Sequence, residues 1–247
     1  MLRIAYGMMV GWGEGGDLAA WGKERKHPPA TALRGLPASA QEWNHPAALG
    51  LVARAAEGRA AVLGPAGLRA WRADARGVVL FLQQPAIGQA MPARVAKADE
   101  LAVEVYWRAP GTSKQVIRAW RDTTLIPTEL HYHRDHLGIV LNDFGDEIRL
   151  GDGDEVRDLL HPLARRGPEV YDYALGRVLT LRTAAGELRV REVDVRPRRP
   201  EVPGVVGALF LDEATAALVR FRFSFTPNAY RDPTVEDIAV ELENAQF

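Results

Sequence analysis

The sequence predicts an α+β domain: a strongly curved antiparallel β-sheet, an incomplete barrel, with one amphipathic helix packed on its concave face. Three observations lead there. Only residues 46–63 carry apolar side chains at sustained helical spacing. After Gly67, apolar and polar residues alternate with period two in segment after segment. Short turns join those segments, as antiparallel strands require.

Taken in order, the first 45 residues show neither period. They hold Trp12, Trp21 and Trp43, the basic cluster Lys23-Glu24-Arg25-Lys26-His27, and three prolines. Residues 1–45 are therefore expected to be a poorly ordered or non-native extension, ahead of a half-barrel domain at 46–247. Arg3 is followed by a short apolar run and Gly11-Trp12-Gly13, not by a signal peptide's long apolar core and cleavage site. The helix at 46–63 has Pro46 in its first turn, an expected apolar face of Leu49, Val52, Ala53, Ala56, Ala60 and Leu63, and a stop at Gly64-Pro65. Residues 78–82, apolar without alternation, suit a strand covered on both faces, one of them by the helix. Leu101, Val103, Val105 and Trp107 alternate with Ala102, Glu104, Tyr106 and Arg108, and Phe221, Phe223 and Phe225 alternate with Arg222 and Ser224. Hairpins are expected at 175–183 with 188–196, and at 207–211 with 217–226. The apolar phase slips between Leu188-x-Val190 and Val193-x-Val195, which predicts a bulge near Arg191-Glu192. A short helix is expected around 152–160 and a last strand at 235–242. The chain stops at Phe247 without a turn or cap after that strand, so it is expected to be cut from a longer protein.

Composition excludes several function classes. There are 31 Lys+Arg against 32 Asp+Glu, a net charge of −1, and hence no basic footprint for nucleic acid over the whole chain. Only Lys23, Lys26, Lys97 and Lys114 are lysines, so amine nucleophiles are scarce. With no cysteine there is no disulfide, thiolate zinc site or Cys nucleophile. No apolar run approaches the ~20 residues of a membrane helix.

The sharpest local pattern is His131-Tyr132-His133-Arg134-Asp135-His136, an H-x-H-x-D-H run that resembles the metal-binding signature of metallo-β-lactamase-like hydrolases. Neutral imidazoles and a carboxylate at this spacing can hold zinc and activate water. That family needs a further His, a bridging Asp and a last His downstream, and here only His161 follows, 25 residues on. The competing reading is structural: His131 and His133 share one face of an extended stretch, paired with Asp135, with no metal favoured. Gly11-x-Gly13-x-x-Gly16 has dinucleotide-turn spacing, but no second parallel strand and no terminal acid follow. The acids at 143–155 lack the order of a calcium loop. Arg196-Pro197-Arg198-Arg199-Pro200 reads as a solvated inter-strand loop. No cofactor is expected.

From about Leu68 onward the succession of motifs is distinctive. It runs through Trp71-Arg72-Ala73, the 131–136 cluster, Asn142-Asp143-Phe144, Ile148-Arg149-Leu150-Gly151-Asp152 and His161-Pro162-Leu163-Ala164. It continues through Tyr171-Asp172-Tyr173, Val195-Arg196-Pro197-Arg198, Gly207-Ala208-Leu209-Phe210-Leu211-Asp212 and Val219-Arg220-Phe221. This block resembles the periplasmic region of bacterial outer-membrane-associated proteins whose sheet is similar to that of the lipoprotein carriers LolA and LolB. The resemblance covers roughly the last 180 residues. It implies a periplasmic or outer-membrane-associated, non-enzymatic binding or scaffolding domain for lipid or lipoprotein acyl chains. It also implies a following outer-membrane β-barrel, absent here together with the signal. Candidate lining residues for an apolar concavity are Val103, Val105, Trp107, Phe221, Phe223 and Phe225. Two alternatives stand beside this: a zinc-dependent hydrolase using His131, His133, Asp135 and His136, and a purely structural domain attached to the barrel.

Overall fold

The computed structural model describes residues 2–12, 42–63, 69–83, 94–108, 112–125, 146–149, 155–183, 186–233 and 235–246. Its elements are β1 (Leu2–Trp12), helix α1 (Pro46–Leu63), β2 (Ala70–Gln83), β3 (Arg94–Arg108), β4 (Thr112–Thr124), β5 (Glu147–Ile148), β6 (Leu159–Leu160), a one-turn helix α2 (Gly167–Val170), β7 (Tyr171–Thr183), β8 (Gly186–Pro197), β9 (Val205–Asp212), β10 (Leu218–Phe225) and β11 (Val235–Gln246). Nine strands form one open sheet in the order β4-β3-β2-β1-β11-β10-β9-β8-β7, and β5 pairs with β6. Every neighbouring pair is antiparallel except β1 with β11. A mostly antiparallel sheet with one long helix is the α+β class that the hairpin density predicts.

The sheet consists of two meanders, β2-β3-β4 and β7 to β11, and β1 lies between them. It pairs residue by residue with β2 on one side and β11 on the other. Leu2–Trp12 therefore belongs to the sheet, not to an extension; the rest of that expectation, residues 13–41, lies outside the described residues. The reason it escaped the pattern is physical. Alternation is what makes a strand legible, and the apolar run at residues 4–10 does not alternate.

One face of the sheet carries the main core. Ala48, Leu51, Val52 and Ala55 of α1 join Trp71, Ala73, Val79 and Phe81 of β2, Val103 and Val105 of β3, and Phe221, Phe223 and Phe225 of β10 in a single buried cluster. The buried side of α1 is thus Ala48, Leu51, Val52 and Ala55, while Ala53 and Ala60 are exposed. That is a rotation from the expected face, allowed because alanines surround the helix and leucine and valine decide which side is buried. His45 starts the helix: its carbonyl accepts from Ala48 and Leu49 N–H, and its Nδ1 from Ala47 N–H at 3.2 Å. Residues 155–160 form no helix; Val156 and Leu159 are buried and Leu159–Leu160 pairs with Glu147–Ile148.

The other face holds two apolar clusters, Leu80 with Leu82 and Val190 with Ala208 and Phe210. Charged rows run between them: Arg177 and Arg222 reach Glu192 at 2.9 and 3.5 Å, and Arg220 pairs with Glu241 and Glu243. Two clusters on two faces explain the phase slip in β8. Leu188 and Val190 serve one face and Val193 and Val195 the other, so the strand itself needs no bulge. The bulge is in the partner, where Gly176 and Arg177 of β7 together oppose Glu192.

Candidate functional site

The β2-β3-β4 meander places an apolar row at the open edge of the sheet. On the core face, Leu101 lies beside Trp120, Val103 beside Ile117, and Trp107 beside Trp71. Directly paired residues project to the same side, so these side chains form one stripe. Exposure rises outward along it: Val105 is 0% exposed, Val103 3% and Leu101 7%, then Ile117 37% and Trp120 38% on β4. Leu125, just past the strand, is 60% exposed. The Trp71 and Trp107 rings are stacked, with centroids 6.3 Å apart.

A bulge makes this stripe. Arg118 of β4 is an extra residue between the pairs Val103–Ile117 and Ala102–Ala119. It brings Ile117 and Trp120, three apart in sequence, onto the same side of the strand. On the opposite side Glu104 receives Arg72, Arg118 and the Tyr106 hydroxyl. Burial pushes the Glu104 carboxyl up, but the hydrogen bonds from Arg118 and Tyr106 and the two guanidinium charges outweigh it and hold it below the usual carboxylate range. At the far end of the meander Lys97 is buried over the Phe81 ring, with Asp99 at 2.9 Å and Asp122 at 3.3 Å. Burial alone lowers a lysine, yet the two carboxylates win and raise it, so Lys97 stays an ammonium and serves as a structural cation, not as a nucleophile.

A cleft of about 410 Å³ opens at the beginning of β2, the end of β3 and the beginning of β4. It is lined by Ala70, Trp71, Arg72, Tyr106, Trp107, Arg108, Thr112 and Lys114. Its size is that of a small-molecule site.

Of the six residues expected to line a concavity, Trp107 lines this cleft, and Val103 and Val105 continue its stripe inward. Phe221, Phe223 and Phe225 lie on β10, with β2, β1 and β11 between them and β3. They are buried in a stack of their own: Phe221 and Phe223 are 4.2 Å apart, and His161 sits 5.3 Å from Phe221. The crossing segment 155–167 is fixed beside them by Tyr171, whose hydroxyl donates to Leu160 O at 2.8 Å, and by Tyr173, donating to Pro162 O at 2.7 Å. The fully buried His161 accepts Leu163 N–H at Nδ1.

His131, His133, Asp135 and His136 lie outside the described residues, as do Asp143, Asp152 and Asp154 of the acidic run at 143–155. Among the described residues no group of three His, Cys, Asp or Glu is placed to hold a metal ion. The stretch expected as a solvated loop begins inside β8, which includes Arg196 and Pro197, and its arginines are engaged: Arg196 stacks on Trp43 at 3.9 Å, and Arg196 and Arg198 approach Asp172 at 3.7 and 3.3 Å. No described helix is long and apolar enough to cross a membrane.

The chain matches no family model, no curated protein and no solved structure. Ile117, Trp120, Arg108 and Lys114 were not singled out from the sequence. The Arg118 bulge hides the period of Val116-Ile117-Arg118-Ala119-Trp120, and an arginine at a strand end looks like any solvated charge.

Proposed function

We propose that this chain is a non-enzymatic binding domain of the bacterial periplasm or outer membrane that takes lipid or lipoprotein acyl chains. In this reading the nine-stranded sheet curves as an incomplete barrel with α1 on its concave side. The acyl chain lies along the β2-β3-β4 stripe, and in a longer protein an outer-membrane β-barrel is the partner. One observation carries the proposal: the core face does not close at β3 but continues through Ile117 and Trp120 to an accessible edge. Each methylene buried there contributes about 0.8 kcal/mol, so a medium-length chain gains enough to bind measurably.

Native mass spectrometry of untagged protein tests it. An adduct of acyl-chain mass is expected, lost in Trp120→Glu, with cooperative thermal unfolding of the variant, at a lower midpoint, showing that it is still folded. Adduct-free protein overturns the proposal. If that protein also carries stoichiometric zinc that changing His131 and His133 to Ala removes, the zinc-site reading takes its place.

A further inference from the structure

We infer that the cleft at the 70–72, 106–108 and 112–114 strand ends selects amphiphiles with an anionic head group, carboxylate or phosphate, over neutral ones; this rests on the acyl-binding reading above. Its eight lining residues include three cations, Arg72, Arg108 and Lys114, two hydroxyl residues, Tyr106 and Thr112, and no acid. The cations are not equivalent. Arg72 is committed to Glu104 and also approaches Asp74 at 3.9 Å, and its guanidinium lies 5.9 Å from the centre of the Tyr106 ring. Elsewhere in the meander Arg118 pairs with Glu104, Arg121 with Glu100, and Lys97 with Asp99 and Asp122. Arg108 and Lys114 are exposed and have no acid partner among the described residues.

The strand register sets the two halves of the cleft. Trp71 and Trp107 face each other on one side of the strands. Arg108 with Thr112, and Tyr106 with Lys114, have the opposite parity in adjacent cross-strand pairs. Arg108 is the last residue of β3 and Lys114 the third of β4, so both are at the hairpin end of the sheet, where long aliphatic stems let the charged heads reach the cleft mouth. An aromatic pair adjoining two uncommitted cations and a threonine hydroxyl matches a tail that ends in an anion. A neutral head gains nothing from the two exposed, hydrated cations, and a cationic head would be repelled.

Titration with decanoate and with decanol, followed by tryptophan emission, tests this on the intact protein. Decanoate is expected to bind roughly five- to tenfold more tightly than decanol, the scale of two partly exposed ion pairs. In the Arg108→Gln, Lys114→Gln double variant decanoate falls to the level of decanol, and added salt narrows the gap in the unmodified protein. Lys114→Glu alone reduces decanoate binding further than Lys114→Gln. Equal binding of the two ligands, or a preference that survives in the double variant, overturns the head-group inference while leaving acyl binding intact. Failure of both ligands to bind overturns the acyl-binding reading itself.

Discussion

Gly207 sits where β9 runs closest to β10, and a Cβ there would overlap the Arg222 carbonyl and the Phe223 Cα, both backbone atoms that cannot rotate away. Gly50, on the exposed side of α1, has nothing within 4 Å of the same added atom. The two alanine substitutions are therefore expected to act in opposite directions. Gly207→Ala costs about 3 kcal/mol by forcing two strands apart, and Gly50→Ala adds about 0.5–1 kcal/mol through helix propensity. Thermal unfolding of both variants checks this. The buried tyrosines give a second test. Burial raises the Tyr171 hydroxyl to about 12, and burial raises Tyr173 as well. A phenol whose folded pKa lies above its unfolded value of 10 contributes stability that is complete below pH 10 and lost as the pH rises through the folded value. The unfolding midpoint in denaturant is thus expected to fall between about pH 10 and pH 12, and less steeply in Tyr171→Phe. At the start of α1, Asn44 adopts a positive φ of 61° and is held three ways: its N–H donates to Tyr173 O, its Nδ2 to Asp172, and its Oδ1 accepts Tyr173 N–H. Nothing about a lone Asn before His45-Pro46 announces that role, because its partners are 128 and 129 positions away.

At the scale of elements, legibility followed exposure. Strands with one wet face were readable where they alternate, β10 to within a residue and β3 over its second half, 101–108, because alternation is what a half-buried pleat produces. The doubly covered part of β2 was readable as well: Val79 and Phe81 lie in the main core, and Leu80 and Leu82 in the cluster behind it. Bulges defeated the reading twice. The slip in β8 was misassigned to Arg191-Glu192 because sequence cannot say which of two paired strands carries the extra residue. The Arg118 bulge concealed the outer row of the candidate site. The two edges of the sheet are also unlike. At β7 Trp43 bridges Ala174 and Asn44 bonds Tyr173, so the protein's own chain covers part of that edge. At β4 the described chain ends in exposed Ile117, Trp120 and Leu125. Ile117 is 37% exposed, so most of its surface is still buried, and Ile117→Asp is expected to cost about 1–2 kcal/mol without unfolding the protein. It should nevertheless weaken decanol binding several-fold, which calorimetry of the same preparation separates.

For the whole molecule the consequential feature is β1. The two meanders have no direct strand contact; the N-terminal strand pairs with both and makes one sheet of them. Proline at Ala5, opposite Leu80 on one side and Ala239 on the other, removes a donor from a strand flanked on both sides. It is expected to cost about 3 kcal/mol or more. Hydrogen exchange should show β2 and β11 losing protection together, since both rely on that strand. This long-range closure was the least legible part of the fold, because pairing the first strand with the last leaves no local signal. The proposed function depends on it, since among the described strands only β1 pairs the meander that carries the acyl stripe with the rest of the sheet. The most direct measurement is photo-crosslinking with a fatty acid that carries a photoactivatable group in its chain, followed by peptide mapping. Label is expected on β3 and β4, at Trp107, Ile117 and Trp120, displaced by excess decanoate. Label confined to α1 or to the β7–β8 edge, or no displaceable label, would contradict it.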